Sequence, residues 1–223
     1  MCGTAALRCA RFIRKEQMPN IIFVKHGEKY TAAHVNKIYN QLLTYYPSAK
    51  YYCYTDDPAG IQEHIHIINI LDRPTVRGVW NKLALFAPHM SMHGYPLNGR
   101  CIFFDLDMDV KHDPSQFLNV NPGLTLCSDY WKRDNPRYQI KHAYNVTVNS
   151  SIMAWVAGEH VDIWQKFLTN TDYYMRKYKG IDRFIIHENF TVNTFNDGIV
   201  SSVANPYSGG AAIDMYNGIE YVV

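Results

Sequence analysis

The stretch RCIFFDLDMDV, residues 100–110, decides how the rest of the sequence is interpreted. Its first half is mostly apolar and aromatic, which is typical of a strand buried inside a sheet. Asp105, Asp107 and Asp109 follow at alternate positions, where an apolar core cannot stabilise unpaired carboxylates. We therefore expect a strand that ends at a crevice, with Asp105 and Asp107 facing the crevice and Leu106 turned back into the core.

Carboxylate oxygens in this arrangement suit a hard divalent cation. Mg²⁺ or Mn²⁺ fits best, particularly where a phosphate completes the coordination shell. The spacing alone leaves an acidic turn with solvated carboxylates as the alternative. For Asp109 we favour a surface acid over a residue that supports the metal ligands without binding the metal. A calcium EF-hand loop is excluded, because Val110 and Gln116 stand where that loop needs Gly and Glu.

Apolar strands and amphipathic helices alternate before this stretch. Residues 20–26, 50–55 and 64–70 predict strands, and residues 34–44 and 79–86 predict helices, the first capped by Thr31. This alternation predicts a mostly parallel sheet with helices on both faces. Since ligands bind beyond the carboxyl ends of such strands, His26-Gly27, residues 55–57 and the acidic pair are expected close together.

The rest of the chain is predicted to belong to the same domain. Further strands are predicted at residues 123–127 and 146–156, and helices at 161–168, 173–178 and 181–186, whereas residues 201–223 show no firm periodicity. We assign residues 18–223 to this domain. Residues 1–17 are interpreted as a possible extension or cloning leader, because Met18 directly precedes a strong strand; a short native helix is the alternative.

Composition narrows the class of protein. The chain has 223 residues, 47% hydrophobic and 19% charged, which is typical of a globular protein. Its formal charge of +2 argues against a dedicated nucleic-acid binder. No apolar run approaches the ~18 residues of a membrane-spanning helix. The five scattered cysteines favour reduced thiols and a cytoplasmic location.

Six segments in order resemble the GT-A fold of glycosyltransferases that use nucleotide sugars, especially small bacterial and phage (cyanophage-type) enzymes. They are FVKHGEKYTAAHVNKIYNQL (23–42), YYCYTDDPAGI (51–61), GVWNKLALF (78–86), CIFFDLDMDV (101–110), VNSSIMAWVAG (148–158) and YKGIDRFI (178–185). The resemblance implies a single GT-A-like, Rossmann-like α/β domain, with a mostly parallel central sheet flanked by helices. Arg183 departs from it, since Gln is common there, and no C-terminal His-x-x-Gly supplies a third metal ligand.

The resemblance also implies roles for individual residues. Asp105 and Asp107 would hold Mn²⁺ (or Mg²⁺), and Asp182, Asn149 and Ser150 would lie at the donor sugar as catalytic residues. The residues implied in nucleotide and cofactor binding are Val24, Lys25, His26, Tyr30, Thr55, Asp56, Lys82, Asp105, Leu106 and Asp107. From the residues alone, a solvated helix lysine remains the alternative for Lys82, and a helix cap remains the alternative for Asp182.

The implied activity is transfer of a hexose, with glucose expected, from a UDP-sugar donor to an unknown glycan or other acceptor, with retention of configuration. No nucleic-acid partner and no membrane span are expected, and a phage origin would place the protein in the host cytoplasm. Two other functions remain open. The run FFDLD is also similar to haloacid dehalogenase phosphatases, with Asp105 as nucleophile. A non-catalytic nucleotide-sugar or glycan-binding module is the other alternative.

Overall fold

The computed structural model describes residues 18–70, 76–91, 97–118, 123–130, 146–203 and 209–216. The predicted extension, residues 1–17, lies outside these ranges. The strands are β1 (Asn20–Lys25), β2 (Lys50–Thr55), β3 (Ile65–Asn69), β4 (Arg100–Phe104), β5 (Met108–Val110), β6 (Leu124–Ser128), β7 (Val148–Val156), β8 (Val192–Thr194), β9 (Val200–Ser202) and β10 (Ile213–Met215). The α-helices are α1 (Ala32–Leu43), α2 (Val161–Thr169), α3 (Thr171–Lys177) and α4 (Ile181–His187).

The central sheet has seven strands in the order β3-β2-β1-β4-β7-β6-β8. Strands β1 to β4 pair in parallel, and β6 pairs in parallel with β8. Strand β7 is antiparallel to both of its neighbours. The mostly parallel α/β sheet predicted from the sequence is confirmed.

Both faces of this sheet are buried under helices. Side chains alternate along β1, so Ile22 packs in a cluster with α2 and α4, while Ile21 and Phe23 pack in a second cluster with α1. A strand covered on both faces has no polar side, which explains why its sequence is a continuous apolar run. Among the described residues, no helix is long and apolar enough to cross a membrane.

The helix expected at residues 79–86 is a 3₁₀ helix, Gly78–Phe86. Every residue from Trp80 to Phe86 is buried, so it packs on all sides and not through one apolar stripe. The Trp80 ring stacks on Phe167 of α2, with ring centroids 5.3 Å apart. This packing fixes the helix against one face of the sheet and positions Lys82 beside the end of β4.

A second, three-stranded sheet was not predicted from the sequence. Its order is β5-β10-β9, and β5 begins at Met108, immediately after the acidic pair. The pairing partners come from the Gly-, Ser- and Asn-rich C-terminal region, where periodicity is weak. The acidic pair therefore lies on the short connection between a strand of the central sheet and a strand of the small sheet.

The expectation that Asp109 is a surface acid is wrong. Asp109 is 7% exposed, and its carboxylate forms an ion pair with Lys37 at 2.9 Å. It also accepts hydrogen bonds from Gln41 Nε2 at 3.3 Å and the Tyr216 hydroxyl at 2.9 Å, and Lys111 Nζ lies 3.3 Å away. These contacts join α1, β5 and the residue after β10 at one carboxylate.

The pKa of Asp109 reflects these contacts. Burial by itself would raise the pKa, but hydrogen bonds from Lys37, Tyr216 and Gln41 outweigh that effect and hold the pKa below its usual range. A carboxylate whose folded-state pKa is depressed stabilises the fold above its unfolded pKa of about 4. Its contribution is lost as the pH falls below that value.

We expect Asp109→Asn to lower the free energy of unfolding by about 2 kcal/mol at pH 7, since it removes the negative charge that lies 2.9 Å from Lys37. The loss should shrink as the pH falls below about 4, because the carboxylate of the unfolded chain then binds a proton before the folded one does. Urea denaturation at pH 7 and at low pH measures both effects. Asp214→Asn is the control, because that side chain is 34% exposed and lies 4.0 Å from Lys111. Equal destabilisation by the two variants would contradict the role assigned to Asp109.

Candidate functional site

A cavity of about 340 Å³ opens at the carboxyl ends of β1 and β4. Its wall is completed by β7, the 3₁₀ helix and the start of α4. The structure brings together in this wall the following residues singled out from the sequence: Val24, His26, Tyr30, Lys82, Asp105, Asp107, Asn149, Ser150 and Asp182. Segments far apart in the chain therefore meet at one site. We call it the central cavity.

Lys25, Thr55 and Leu106 lie outside the central cavity. Lys25 is buried, and its Nζ donates to the carbonyl oxygen of Asp57 at 2.8 Å. Thr55 is also buried, and its hydroxyl donates to the same carbonyl oxygen at 3.0 Å. Leu106 is buried in the core, as the sequence predicted. The side chains of Lys25 and Thr55 stabilise the turn after β2, and Leu106 packs in the core.

Asp56 does not line the central cavity, but it stabilises a loop that does. Its Oδ2 accepts a hydrogen bond from the backbone N–H of Gly27 at 3.0 Å. Gly27 has φ +63°, which side chains disfavour, so the chain can turn sharply where β1 ends. This contact holds the loop between β1 and α1, which carries His26 and Tyr30 into the central cavity.

Lys82 and Asp105 form the closest ion pair of the site. The Nζ atom of Lys82 lies 2.7 Å from Oδ2 of Asp105, and the lysine is only 8% exposed, so the alternative of a solvated helix lysine is wrong. Burial raises the pKa of Asp105, the charge of Lys82 opposes this rise, and nearby Asp107 adds to it. The backbone N–H of Asp105 donates to the carbonyl oxygen of Ser151 at 2.8 Å, which ties the end of β4 to β7.

Asp107 has a different environment. It is 8% exposed and lines the central cavity, yet its carboxylate makes no ion pair or hydrogen bond with any described residue. Its backbone carbonyl accepts a hydrogen bond from the N–H of Tyr216 at 3.1 Å. A mostly buried carboxylate without a counterion is unfavourable, and a cation in the cavity would remove that cost.

The two carboxylates fit a divalent cation that is shared with a ligand. Within the described ranges, no group of three His, Cys, Asp or Glu side chains could hold a metal ion. Two hard oxygen donors, Asp105 and Asp107, are what Mg²⁺ or Mn²⁺ needs from a protein when substrate phosphates and water supply the other ligands. The donor set therefore suits binding of a metal together with a phosphate-bearing ligand.

Asp182 organises the opposite wall of the central cavity. Its Oδ1 accepts the backbone N–H of Ser150 at 2.9 Å, and no side chain caps α4. The alternative that Asp182 is a helix cap is therefore wrong. The pairing of β6 with β7 is irregular at Leu126/Cys127, opposite this part of β7. At this irregularity the N–H of Ser150 donates to Asp182 and not to β6. The next N–H, that of Ser151, donates to Oδ1 of Asn149 at 2.7 Å.

Sequence reasoning missed several residues in the wall of the central cavity, among them Lys29, Val79 and Lys179. All three lie in segments that resemble the GT-A fold. Each is adjacent in the sequence to a glycine or to a residue that was singled out for the site. Lys29 donates to the hydroxyl of Tyr30 at 2.6 Å, and its Nζ lies 4.4 Å from the centre of that ring. No local signal distinguishes Lys29 or Lys179, because a lysine in a loop is ordinarily solvated.

No family model matches the sequence, and no curated protein is similar to it. Solved structures do match the fold. The galactosyltransferase LgtC, in complex with donor and acceptor sugar analogs, matches with a TM-score of 0.59 and 14% identity, over 91% of this chain and 88% of that chain. The glycosyltransferase GlyE of Streptococcus pneumoniae matches with a TM-score of 0.63 and 11% identity, over 91% of this chain and 56% of that chain. At this identity the likeness shows the fold, which is GT-A.

We expect the Lys82–Asp105 pair to show a coupling energy of about 1–3 kcal/mol in a double-mutant cycle, because each single change leaves a mostly buried partner unpaired. The variants are Lys82→Met, Asp105→Asn and the double variant, compared by urea denaturation at pH 7. The control cycle is Lys111 with Asp214, whose side chains are 46% and 34% exposed. That pair should couple by less than about 1 kcal/mol. Equal coupling in the two cycles would show that burial does not strengthen the first pair.

Proposed function

We propose that this protein is a metal-dependent glycosyltransferase that moves a hexose, with glucose expected, from a UDP-sugar to an acceptor. The observation that carries the proposal is the Asp107 carboxylate, which is mostly buried in the wall of the central cavity without a described counterion, beside Asp105. The GT-A fold supports it, since the similar LgtC structure holds donor and acceptor sugar analogs.

Asp105 and Asp107 are the residues that would hold Mn²⁺ or Mg²⁺. When bound, the metal would act as a Lewis acid that offsets the negative charge growing on a diphosphate leaving group. Lys82 restrains the Asp105 carboxylate through their 2.7 Å contact. It also adds a positive charge to the wall of the cavity, where the leaving group needs one.

The end of the central cavity near β1 is proposed to bind the nucleoside. Tyr30 presents an aromatic ring on which a uracil can stack, and the backbone of Val24 to His26 offers donors and acceptors to the base edge. The contact between Asp56 and the N–H of Gly27 holds this loop in place. Base recognition would therefore rest on β1 and its loop.

The wall formed by β7 and α4 is proposed to bind the donor sugar. Asn149, Ser150 and Asp182 bring polar groups together there, and sugar hydroxyls are suitable partners for them. Oδ1 of Asp182 is held by Ser150, while Oδ2 makes no hydrogen bond with a described residue, so it can accept from a sugar hydroxyl. From the resemblance of this strand to its relatives, we propose that the anomeric configuration is retained.

Mn²⁺ together with UDP should raise the melting temperature of the protein. At a ligand concentration of about one hundred times Kd, binding to the native state adds about 2.7 kcal/mol, which corresponds to a shift of roughly 5–10 °C for a domain of this size. Asp107→Asn should abolish the shift, because the cation loses a charged ligand. Asp214→Asn, outside the central cavity, should keep it. The absence of any shift in the wild-type protein would contradict the proposal.

In the presence of Mn²⁺, the protein should release UDP from UDP-glucose. Asp182→Asn should slow this release by about 10²-fold while keeping the Mn²⁺–UDP shift, since it removes a charge at the sugar and not at the phosphates. Chromatography of the nucleotide measures the rate, and NMR of the sugar product reports its anomeric configuration. Hydrolysis of aryl phosphates without UDP binding would favour the phosphatase. UDP binding without any sugar release would favour the non-catalytic module.

A further inference from the structure

A second cavity of about 470 Å³ lies beside the central cavity and shares Gly78 and Val79 with its wall. It is formed between the start of the 3₁₀ helix and helix α3, and we call it the arginine cavity. Arg77 lies on one side of it, and Arg176 lies on the other. The volume is that of a site for a small ligand such as a sugar.

The two arginines come from different elements and converge on this cavity. Both are exposed, and neither makes an ion pair or hydrogen bond with another residue in the described part of the chain. Asp172 is the one acid among the described residues that line the cavity, so two positive charges face one negative charge. The described residues of the wall therefore carry a net charge of +1.

Helix stability does not account for Arg77. It directly precedes the 3₁₀ helix, and the positive end of a helix dipole disfavours a cation at that position. Arg176 lies in the last turn of α3, where a cation is favourable. A ligand that needs both guanidinium groups would explain why Arg77 is opposite Arg176.

The chemistry of the wall indicates an acidic saccharide. A guanidinium group presents a planar fork of donors that matches a carboxylate or a phosphate. Val79, Trp80 and Met175 add apolar surface to the same cavity, which suits the face of a sugar ring. Val79 is 47% exposed and belongs to both walls, so a sugar bound in the arginine cavity lies next to the contents of the central cavity.

We propose that the arginine cavity binds the anionic group, a phosphate or a carboxylate, of an acidic acceptor saccharide. Arg77 and Arg176 would thereby select acceptors that carry this charge. The inference rests on the proposed function, because an acceptor must lie beside the donor sugar in the central cavity. Binding of the anion itself depends only on the arginine cavity and is tested separately.

The probes are glucose 6-phosphate, glucuronate and uncharged glucose, titrated into the full chain by ligand-observed NMR. We expect at least one anionic sugar to bind about tenfold more tightly than glucose, a difference of about 1.4 kcal/mol. The stronger of the two anionic probes shows whether a phosphate or a carboxylate is the preferred group. The double variant Arg77→Gln/Arg176→Gln should lose the preference for the anion, and Asp172→Asn should increase it about twofold by removing the opposing charge.

Two controls keep the experiment decisive. Lys50→Gln removes one positive charge at the start of β2, outside both cavities, and should leave the preference unchanged. The double arginine variant should keep the Mn²⁺–UDP shift, which shows that it is folded. If the wild-type chain shows that shift but prefers no anion, or if the double variant keeps the preference, this inference alone is overturned. An anion preference without any Mn²⁺–UDP shift supports the anion site and overturns the proposed transfer reaction.

Discussion

Asp105 and Asp107 place two negative charges at the end of a buried strand, and the neighbouring elements are arranged around them. β4 lies between β1 and β7 in the central sheet, so the chain leaves the apolar interior only where Asp105 and Asp107 begin. Lys82 compensates Asp105 at 2.7 Å, whereas no described residue compensates Asp107. The protein thus keeps a mostly buried negative charge facing a cavity. Under the proposed function, a cation bound together with the ligand would offset the cost of that charge.

The surrounding structure holds this acidic segment in position. The N–H of Asp105 is bound by β7, and the carbonyl of Asp107 is bound by the residue that follows β10. Asp109, next along the chain, joins α1 to the small sheet through charged and polar contacts. These two backbone hydrogen bonds hold the acidic segment between β7 and the residue after β10. The proposed transfer reaction requires such preorganised charge at a diphosphate leaving group.

Much of the fold and part of the site could be predicted from the sequence. The apolar runs of β1, β2 and β4 and the periodicity of α1 are local signals, and a parallel sheet then brings their carboxyl ends to one edge. The buried state of Lys82 and Asp109 could not be predicted, because a single Lys or Asp in a sequence is most often solvated. The pairing of β5 with β10 depends on a Gly- and Ser-rich segment without periodicity, so it also escaped prediction.

Local patterns in the sequence were enough to locate the main strands of the central sheet, the helices and the acidic pair, since hydrophobic periodicity and strand ends are properties of neighbouring residues. Which charges meet depends on the folded arrangement of the chain. Lys82 reaches Asp105 across 23 residues, and Tyr216 reaches Asp109 across 107. Arg77 and Arg176 share a cavity in the same way. An ion pair or hydrogen bond forms only when two groups lie within a few ångströms of each other. The number of residues between two groups in the sequence does not give that distance, because the distance depends on how the sheet and helices pack.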